Sequence, residues 1–148
     1  MTMIRYDIEE HISRSPATAF DFVAVHQPEN HPRWEDEVVE IRRPGPLAVG
    51  QKGVMVRQEG KRRREVPFEV TELVPDRRIR FRSGSGGFNL DLTFDFVPRG
   101  DETSLHVTAL LDLRGPLRLL SPLFARRFPQ TGARITRKLA ALLNEPAT

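Results

Sequence analysis

Three polar side chains interrupt the apolar faces of predicted strands, and their types could support ligand binding or proton transfer. Tyr6 and Glu10 share a strand face with Ile4, and Arg57 shares a face with Met55. A buried tyrosine hydroxyl needs a hydrogen-bond partner, which a ligand can supply. A buried carboxylate has a raised pKa and is a candidate for proton transfer. Each also has a structural interpretation, in which the side chain packs or the strand end releases it to water.

Two of the candidate residues, Trp34 and Arg57, each have two possible interpretations. Trp34, the one tryptophan, follows a proline-rich segment. It is either a wall of a ligand cavity near its opening or a plug that packs the short helices on the sheet. Arg57 faces inward only if Met55 does, and Val54 and Val56 are equally good candidates for the inner face.

Other chemistries have little support in this sequence. It contains no cysteine, which excludes disulfides, thiolate catalysis and cysteine-ligated zinc or iron–sulfur sites. His11 and His106 lie on the polar faces of their strands, and His26 and His31 lack the helical i, i+4 spacing of a metal pair. Acidic residues near them, including Glu35, are interpreted as solvated charge. We therefore expect no metal, no cofactor and no catalytic residue.

The charges are distributed unevenly along the chain. The sequence has 23 Lys+Arg against 20 Asp+Glu, a net charge of +3. Residues 1–40 hold nine acids and three bases, while residues 113–144 hold seven bases and no acid. These ends should attract each other, so we expect the basic C-terminal helix to lie over the domain. The basic run at residues 61–64 has no interleaved aromatics to stack bases, so we expect no nucleic-acid partner.

Hydropathy limits the cellular setting. No run approaches the roughly 18 apolar residues of a membrane span, which excludes an integral membrane protein. The first residues contain no apolar signal segment, so we expect a cytoplasmic protein. A homodimer is left open.

The elements that must position these residues are predicted from periodicity. Alternating polar and apolar residues predict seven strands, at residues 3–13, 37–43, 52–59, 63–73, 77–83, 88–98 and 103–114. Ser15 and Pro16 begin a helix, and Pro28 and Pro32 break the next segment into a short, irregular helical piece that ends near Trp34. Residues 116–144 are predicted to be helical. Short connections favour an antiparallel meander, which gives an α+β fold in one domain, residues 1–148.

Several motifs, in order, resemble one known family. They are residues 12–20 (ISRSPATAF), Trp34, Gly50, residues 70–81 (VTELVPDRRIRF) and residues 94–104 (FDFVPRGDETS). With the long C-terminal helix, they make the chain similar to the START-like (SRPBCC) superfamily, closest to its polyketide cyclase/dehydrase and lipid-transport branch. The resemblance implies the helix-grip fold, a curved seven-stranded antiparallel sheet wrapped around the last helix. It also implies two short helices between the first two strands and a cavity between sheet and helix.

The inward-facing residues of such a fold would bind the ligand. Strand and helix periodicity predict an apolar wall, although the same pattern also fits a filled core. Ala109 is the smallest of these residues, so we expect a void above it. The candidate ligand-binding residues are Tyr6, Trp34, Met55, Arg57, Phe68, Phe81, Leu90, Leu92, Phe94, Val107, Ala109, Leu111, Phe124, Phe128 and Ile135.

Three functions remain open after this reasoning. The first is a carrier or sensor that binds a hydrophobic small molecule, such as a lipid, a polyketide or a quinone-like compound. The second is a polyketide aromatase/cyclase or dehydratase. The resemblance implies that the aromatising cyclases of this branch carry Arg, Ser and Trp on cavity-facing strand positions just before the turn that matches residues 74–76. The corresponding stretch here, residues 67–73 (PFEVTEL), contains none of these residue types, which favours binding. The third is a regulatory protein that docks on a partner or a membrane surface through residues 114–138.

Overall fold

The alternating segments form one antiparallel sheet in the computed structural model, which describes residues 2–146. The strands are β1 (Thr2–Ile12), β2 (Val38–Arg42), β3 (Lys52–Glu59), β4 (Arg62–Val74), β5 (Arg78–Ser85), β6 (Phe88–Arg99) and β7 (Glu102–Leu113). Their order in the open sheet is β1-β7-β6-β5-β4-β3-β2. The predicted strands and antiparallel meander are therefore confirmed. The ends of the expected domain, residues 1, 147 and 148, lie outside the described residues.

Two short helices separate β1 from β2, as predicted. Helix α1 (Pro16–Phe20) begins at Ser15, whose hydroxyl accepts a hydrogen bond from the Thr18 amide at 3.2 Å. A π-helical turn (Asp21–Val25) leads into α2 (Gln27–Trp34). Pro28 lies in the first turn of α2, where its missing N–H has no intrahelical partner to lose. The predicted short helical piece that ends near Trp34 is α2, which contains Pro32 and follows the π-helical turn.

The C-terminal segment covers the concave face of the sheet. A 3₁₀ turn (Gly115–Leu120) precedes α3 (Ser121–Leu143), so the first turn of the predicted helix is tighter than an α-helix. The Asn144 side chain accepts hydrogen bonds from the backbone and hydroxyl of Ser13 at 2.6 and 2.9 Å, which fixes the end of α3 to the end of β1. Lys138 of α3 forms an ion pair with Asp36, so the basic helix lies over the acidic N-terminal part, as expected.

The buried apolar residues form two clusters. The larger one joins α1 and the C-terminal half of α3 to the sheet, with Phe20 and Phe96 in edge contact at 5.5 Å between ring centroids. The smaller one contains Ile4, Leu111 and Leu113 near the start of α3. Helix α3 is therefore buried mainly in its C-terminal half, and space is left below its N-terminal half.

The opposite, convex face of the sheet is charged. Asp91 and Asp95 of β6 accept hydrogen bonds from Arg82 and Arg78 of β5, at 3.3 and 2.6 Å. His106 lies on the same face, near Glu9 of β1 at 3.6 Å. These aspartates and His106 face outward, which confirms the strand periodicity. Within residues 2–146, no helix has both the length and the hydropathy that a membrane crossing requires.

Candidate functional site

A cavity of about 580 Å³ lies between the concave face of the sheet and α3. The burial of the side chains along β6 shows where the cavity begins. Phe94 and Phe96 are buried, whereas Leu90 and Leu92, on the same face of the strand, are only half-buried because they face the cavity. Arg62 and Ser85 both line the cavity and are exposed to solvent, so they mark its opening, called here the mouth.

The cavity wall contains nearly all the residues predicted to form it. A smaller recess of about 100 Å³ shares Trp34, Met55 and Arg57 with the cavity and adds Phe68 and Phe81. Met55 and Arg57 therefore face inward, and Val56 is buried on the other face. The predicted residues on the main cavity wall are Tyr6, Trp34, Met55, Arg57, Leu90, Leu92, Phe94, Val107, Leu111, Phe124, Phe128 and Ile135.

Ala109 is the exception. We expected a void above it, but it is completely buried and is not among the residues that line the cavity. Its cross-strand neighbours are Tyr6 on β1 and Leu92 on β6, and both of these line the cavity. Ala109 has only a methyl group, and the longer side chains of its two neighbours are the ones that reach the cavity. The expectation for Ala109 was therefore wrong, although the face assigned to it was correct.

A buried carboxylate lies in the cavity wall beyond the end of α2. The Glu35 side chain is 16% exposed and accepts hydrogen bonds from His31 Nε2 at 2.9 Å and from Arg57 Nη1 at 2.6 Å. Burial by itself raises the pKa of Glu35, but these hydrogen bonds and the nearby charges outweigh it and lower the pKa to about 2. The interpretation of Glu35 as solvated charge was wrong, and Glu35 is ionised at neutral pH.

Both ring nitrogens of His31 lie within hydrogen-bond distance of a polar side chain. Arg43 Nη1 lies 3.1 Å from Gln27 Oε1, and a guanidinium only donates, so the Gln27 oxygen faces Arg43. The Gln27 amide nitrogen therefore faces His31 Nδ1, at 3.3 Å. On the other side of the ring, His31 Nε2 faces the Glu35 carboxylate. Its ring is stacked on Trp34, with centroids 4.8 Å apart and planes 13° apart.

Tyr6 presents a hydroxyl to the same cavity. Burial, and secondarily the charge of Glu35, raises the pKa of Tyr6 to about 12, so the hydroxyl stays protonated at neutral pH. Among the described residues this hydroxyl makes no hydrogen bond to a protein atom. Gly132 of α3 packs directly against it, since a Cβ at Gly132 would lie 2.6 Å from the hydroxyl oxygen. The cavity wall therefore contains an O–H donor that a ligand can use.

Several wall residues were not among the sequence candidates: His31, Glu35, Arg62, Arg64 and Gly132. A signal was present for some of them. Arg62 and Arg64 share strand parity with the inward-facing Val66, and His31 and Glu35 are four residues apart. No signal marked Gly132.

Known structures share this fold. A START superfamily protein from Mycobacterium smegmatis has a TM-score of 0.73 and 17% identity, over 96% of its chain and 95% of this one. Norcoclaurine synthase from Thalictrum flavum has a TM-score of 0.70 and 15% identity, over 96% of its chain and 99% of this one. The di-domain ARO/CYC StfQ from the steffimycin biosynthetic pathway has a TM-score of 0.74 and 9% identity, over 50% of its chain and 94% of this one.

The sequence itself shows the family. A search of the curated proteins finds no match to this chain. The family model described as polyketide cyclase / dehydrase and lipid transport matches residues 3–144, which is nearly the whole chain. Together with the helix-grip fold, this match shows that the chain belongs to the polyketide cyclase/dehydrase and lipid-transport family of the START-like superfamily.

Proposed function

We propose that the protein binds a hydrophobic small molecule in the cavity below α3, as a carrier or a sensor. The observation that carries this proposal is a largely apolar cavity of about 580 Å³ whose wall includes the buried ring and the free hydroxyl of Tyr6. Small-molecule sites typically combine apolar walls with a few polar groups that orient the ligand. A lipid, a polyketide or a quinone-like compound has an oxygen that could accept a hydrogen bond from Tyr6.

The protonation of the polar cluster favours binding over proton transfer. A general base works best when its pKa lies near the working pH, and the pKa of Glu35 is lowered to about 2. Both ring nitrogens of His31 are occupied, by Gln27 and Glu35. The pKa of Tyr6, raised to about 12, makes its hydroxyl a hydrogen-bond donor and a weak acid. The aromatase/cyclase or dehydratase alternative is supported by the family description and by no residue of this cluster.

A cavity-filling substitution tests the proposal. Leu90 is half-buried in the cavity wall, so in Leu90→Trp the indole should occupy the predicted ligand space. We expect binding of a dansyl-labelled fatty acid to weaken at least about tenfold. The free energy of unfolding should stay within about 1 kcal/mol of wild type, because the added volume enters a void and does not overpack a core. The measurements are a fluorescence titration and a urea denaturation.

A matched variant separates cavity filling from a general effect of tryptophan. Val39 lies on β2 and is exposed, so Val39→Trp should leave probe binding unchanged. If wild type binds no probe and Leu90→Trp lowers the free energy of unfolding by more than about 2 kcal/mol, the interior is a fully packed core and the carrier proposal is wrong.

A further inference from the structure

Three leucines next to the cavity-lining residues Leu117 and Phe124 are exposed to solvent. Leu119 is 84% exposed, Leu120 is 45% exposed and Leu123 is 44% exposed. They lie in the 3₁₀ turn and the first turn of α3. Isolated exposed apolar residues are ordinary on a protein surface, but a cluster needs an explanation. The other large exposed apolar residues of the described chain lie singly on other elements: Met3, Val25, Val39, Val49 and Val74.

Basic residues accompany these leucines. Arg126 and Arg127 follow Leu123 by three and four residues, which places all three on one face of α3. Arg118 precedes Leu119 directly, and these arginines are exposed. Residues 113–144 contain no acidic side chain to neutralise them. The outer surface here is therefore both apolar and positively charged.

The inner side of the same segment forms part of the cavity wall. Leu117, Phe124 and Phe128 line the cavity, while the leucines and arginines between them face solvent. Residues 117–128, called here the mouth segment, thus separate the cavity from an apolar and basic outer surface. A partner bound to that outer surface would lie within one helix diameter of the cavity.

We propose that the mouth segment docks on the surface of an anionic lipid bilayer. Leucine side chains insert at the boundary of headgroups and acyl chains, and arginines beside them bind lipid phosphates. The outer surface of the mouth segment offers these two chemistries and no outward-facing aromatic anchor of the kind that dominates specific protein interfaces. Docking there would bring the cavity to the bilayer, and the inference that a ligand then passes between them rests on the proposed function.

Sedimentation with lipid vesicles tests the docking. Wild type should sediment with phosphatidylcholine vesicles that contain about one third phosphatidylglycerol, and it should stay in solution with phosphatidylcholine alone. Salt should release it, because charge attraction to the surface is screened. The double variant Leu119→Ser/Leu123→Ser should lose the binding. Arg126→Gln/Arg127→Gln should weaken it about 30-fold, since each basic residue near an anionic surface is worth about 1 kcal/mol.

Matched controls come from other surfaces of the chain. Val49 is 62% exposed, and Val49→Ser removes a comparable apolar side chain away from the mouth segment. Arg63 and Arg99 are exposed on hairpins, and Arg63→Gln/Arg99→Gln removes the same net charge as the arginine pair of α3. Both controls should sediment with the anionic vesicles like wild type.

The outcomes separate the docking from the proposed function. If wild type ignores anionic vesicles but binds the dansyl-labelled fatty acid, or self-associates through the leucines instead, the docking proposal is overturned and ligand binding is untouched. Equal sedimentation of wild type and the double leucine variant also overturns it. Sedimentation that depends on the leucines, without any uptake of the fatty acid, supports docking and contradicts the proposed function.

Discussion

Replacing Glu35 by glutamine tests the buried polar cluster directly. Two donors converge on this carboxylate, one on each oxygen, from His31 and from Arg57. A glutamine amide offers one oxygen, so one of the two donors loses its acceptor. We expect Glu35→Gln to be clearly destabilised at neutral pH, because leaving a buried polar or charged partner unpaired is costly.

The size of the effect follows from the pKa of Glu35. In the folded protein this pKa is lowered from its ordinary value of 4.5 to about 2. A tenfold change in proton affinity is worth about 1.4 kcal/mol, so the ionised carboxylate stabilises the fold by about 3 kcal/mol. The unfolded chain binds the proton at higher pH than the folded protein. The stabilisation is therefore complete above pH 4.5 and is lost as the pH falls towards 2.

Urea denaturation at two pH values provides the assay. The one tryptophan, Trp34, is stacked on His31, so its fluorescence reports on this region. Wild type should be more stable than Glu35→Gln by about 3 kcal/mol at neutral pH and by about half of that near pH 3. Glu29→Gln, which changes an exposed glutamate of α2, should alter the free energy of unfolding by less than about 0.5 kcal/mol. A difference between wild type and Glu35→Gln that is the same at both pH values would refute the charge argument.

Two further predictions concern Tyr6. Gly132→Ala should be destabilised by about 1–3 kcal/mol, despite the better helix propensity of alanine, because the new methyl group overlaps the Tyr6 ring. Gly86→Ala, whose Cβ would meet nothing within 4 Å, is its control in the same denaturation measurement. Tyr6→Phe should keep wild-type stability but bind the dansyl-labelled fatty acid about fivefold more weakly in a fluorescence titration. A stability loss above about 1 kcal/mol in Tyr6→Phe would mean that the hydroxyl already has a protein partner.

Much of the sheet could be predicted because each strand alternates between a charged face and an apolar face. Strand β3 begins and ends where the sequence indicated, and the other bounds differ by at most two residues. The outward-facing Asp91 and Asp95 followed from the same period of two. Periodicity assigns a side chain to a face, and it does so from neighbours along the chain alone. It contains no information on what lies opposite that face.

The polar cluster could not be predicted for that reason. Glu35 follows the end of α2 and is surrounded by other acids in the sequence, which is the usual pattern of a solvated segment. Its burial depends on Arg57, which comes from β3, 22 residues later. Ala109 illustrates the same limit at short range. Its face was assigned correctly, but its exposure depends on the lengths of Tyr6 and Leu92 on the two adjacent strands.

The cavity exists because the residues of α3 that face the sheet differ in size along the helix. Its C-terminal half places Leu139 and Leu143 against the sheet, and these large side chains complete the buried core. Farther towards the N-terminus, Gly132 presents no side chain at all. Tyr6 uses that space with its ring and still leaves its hydroxyl unpaired within the described structure. The void that remains makes the fold less stable than a filled core would be, and this cost supports the proposal that a ligand occupies the space.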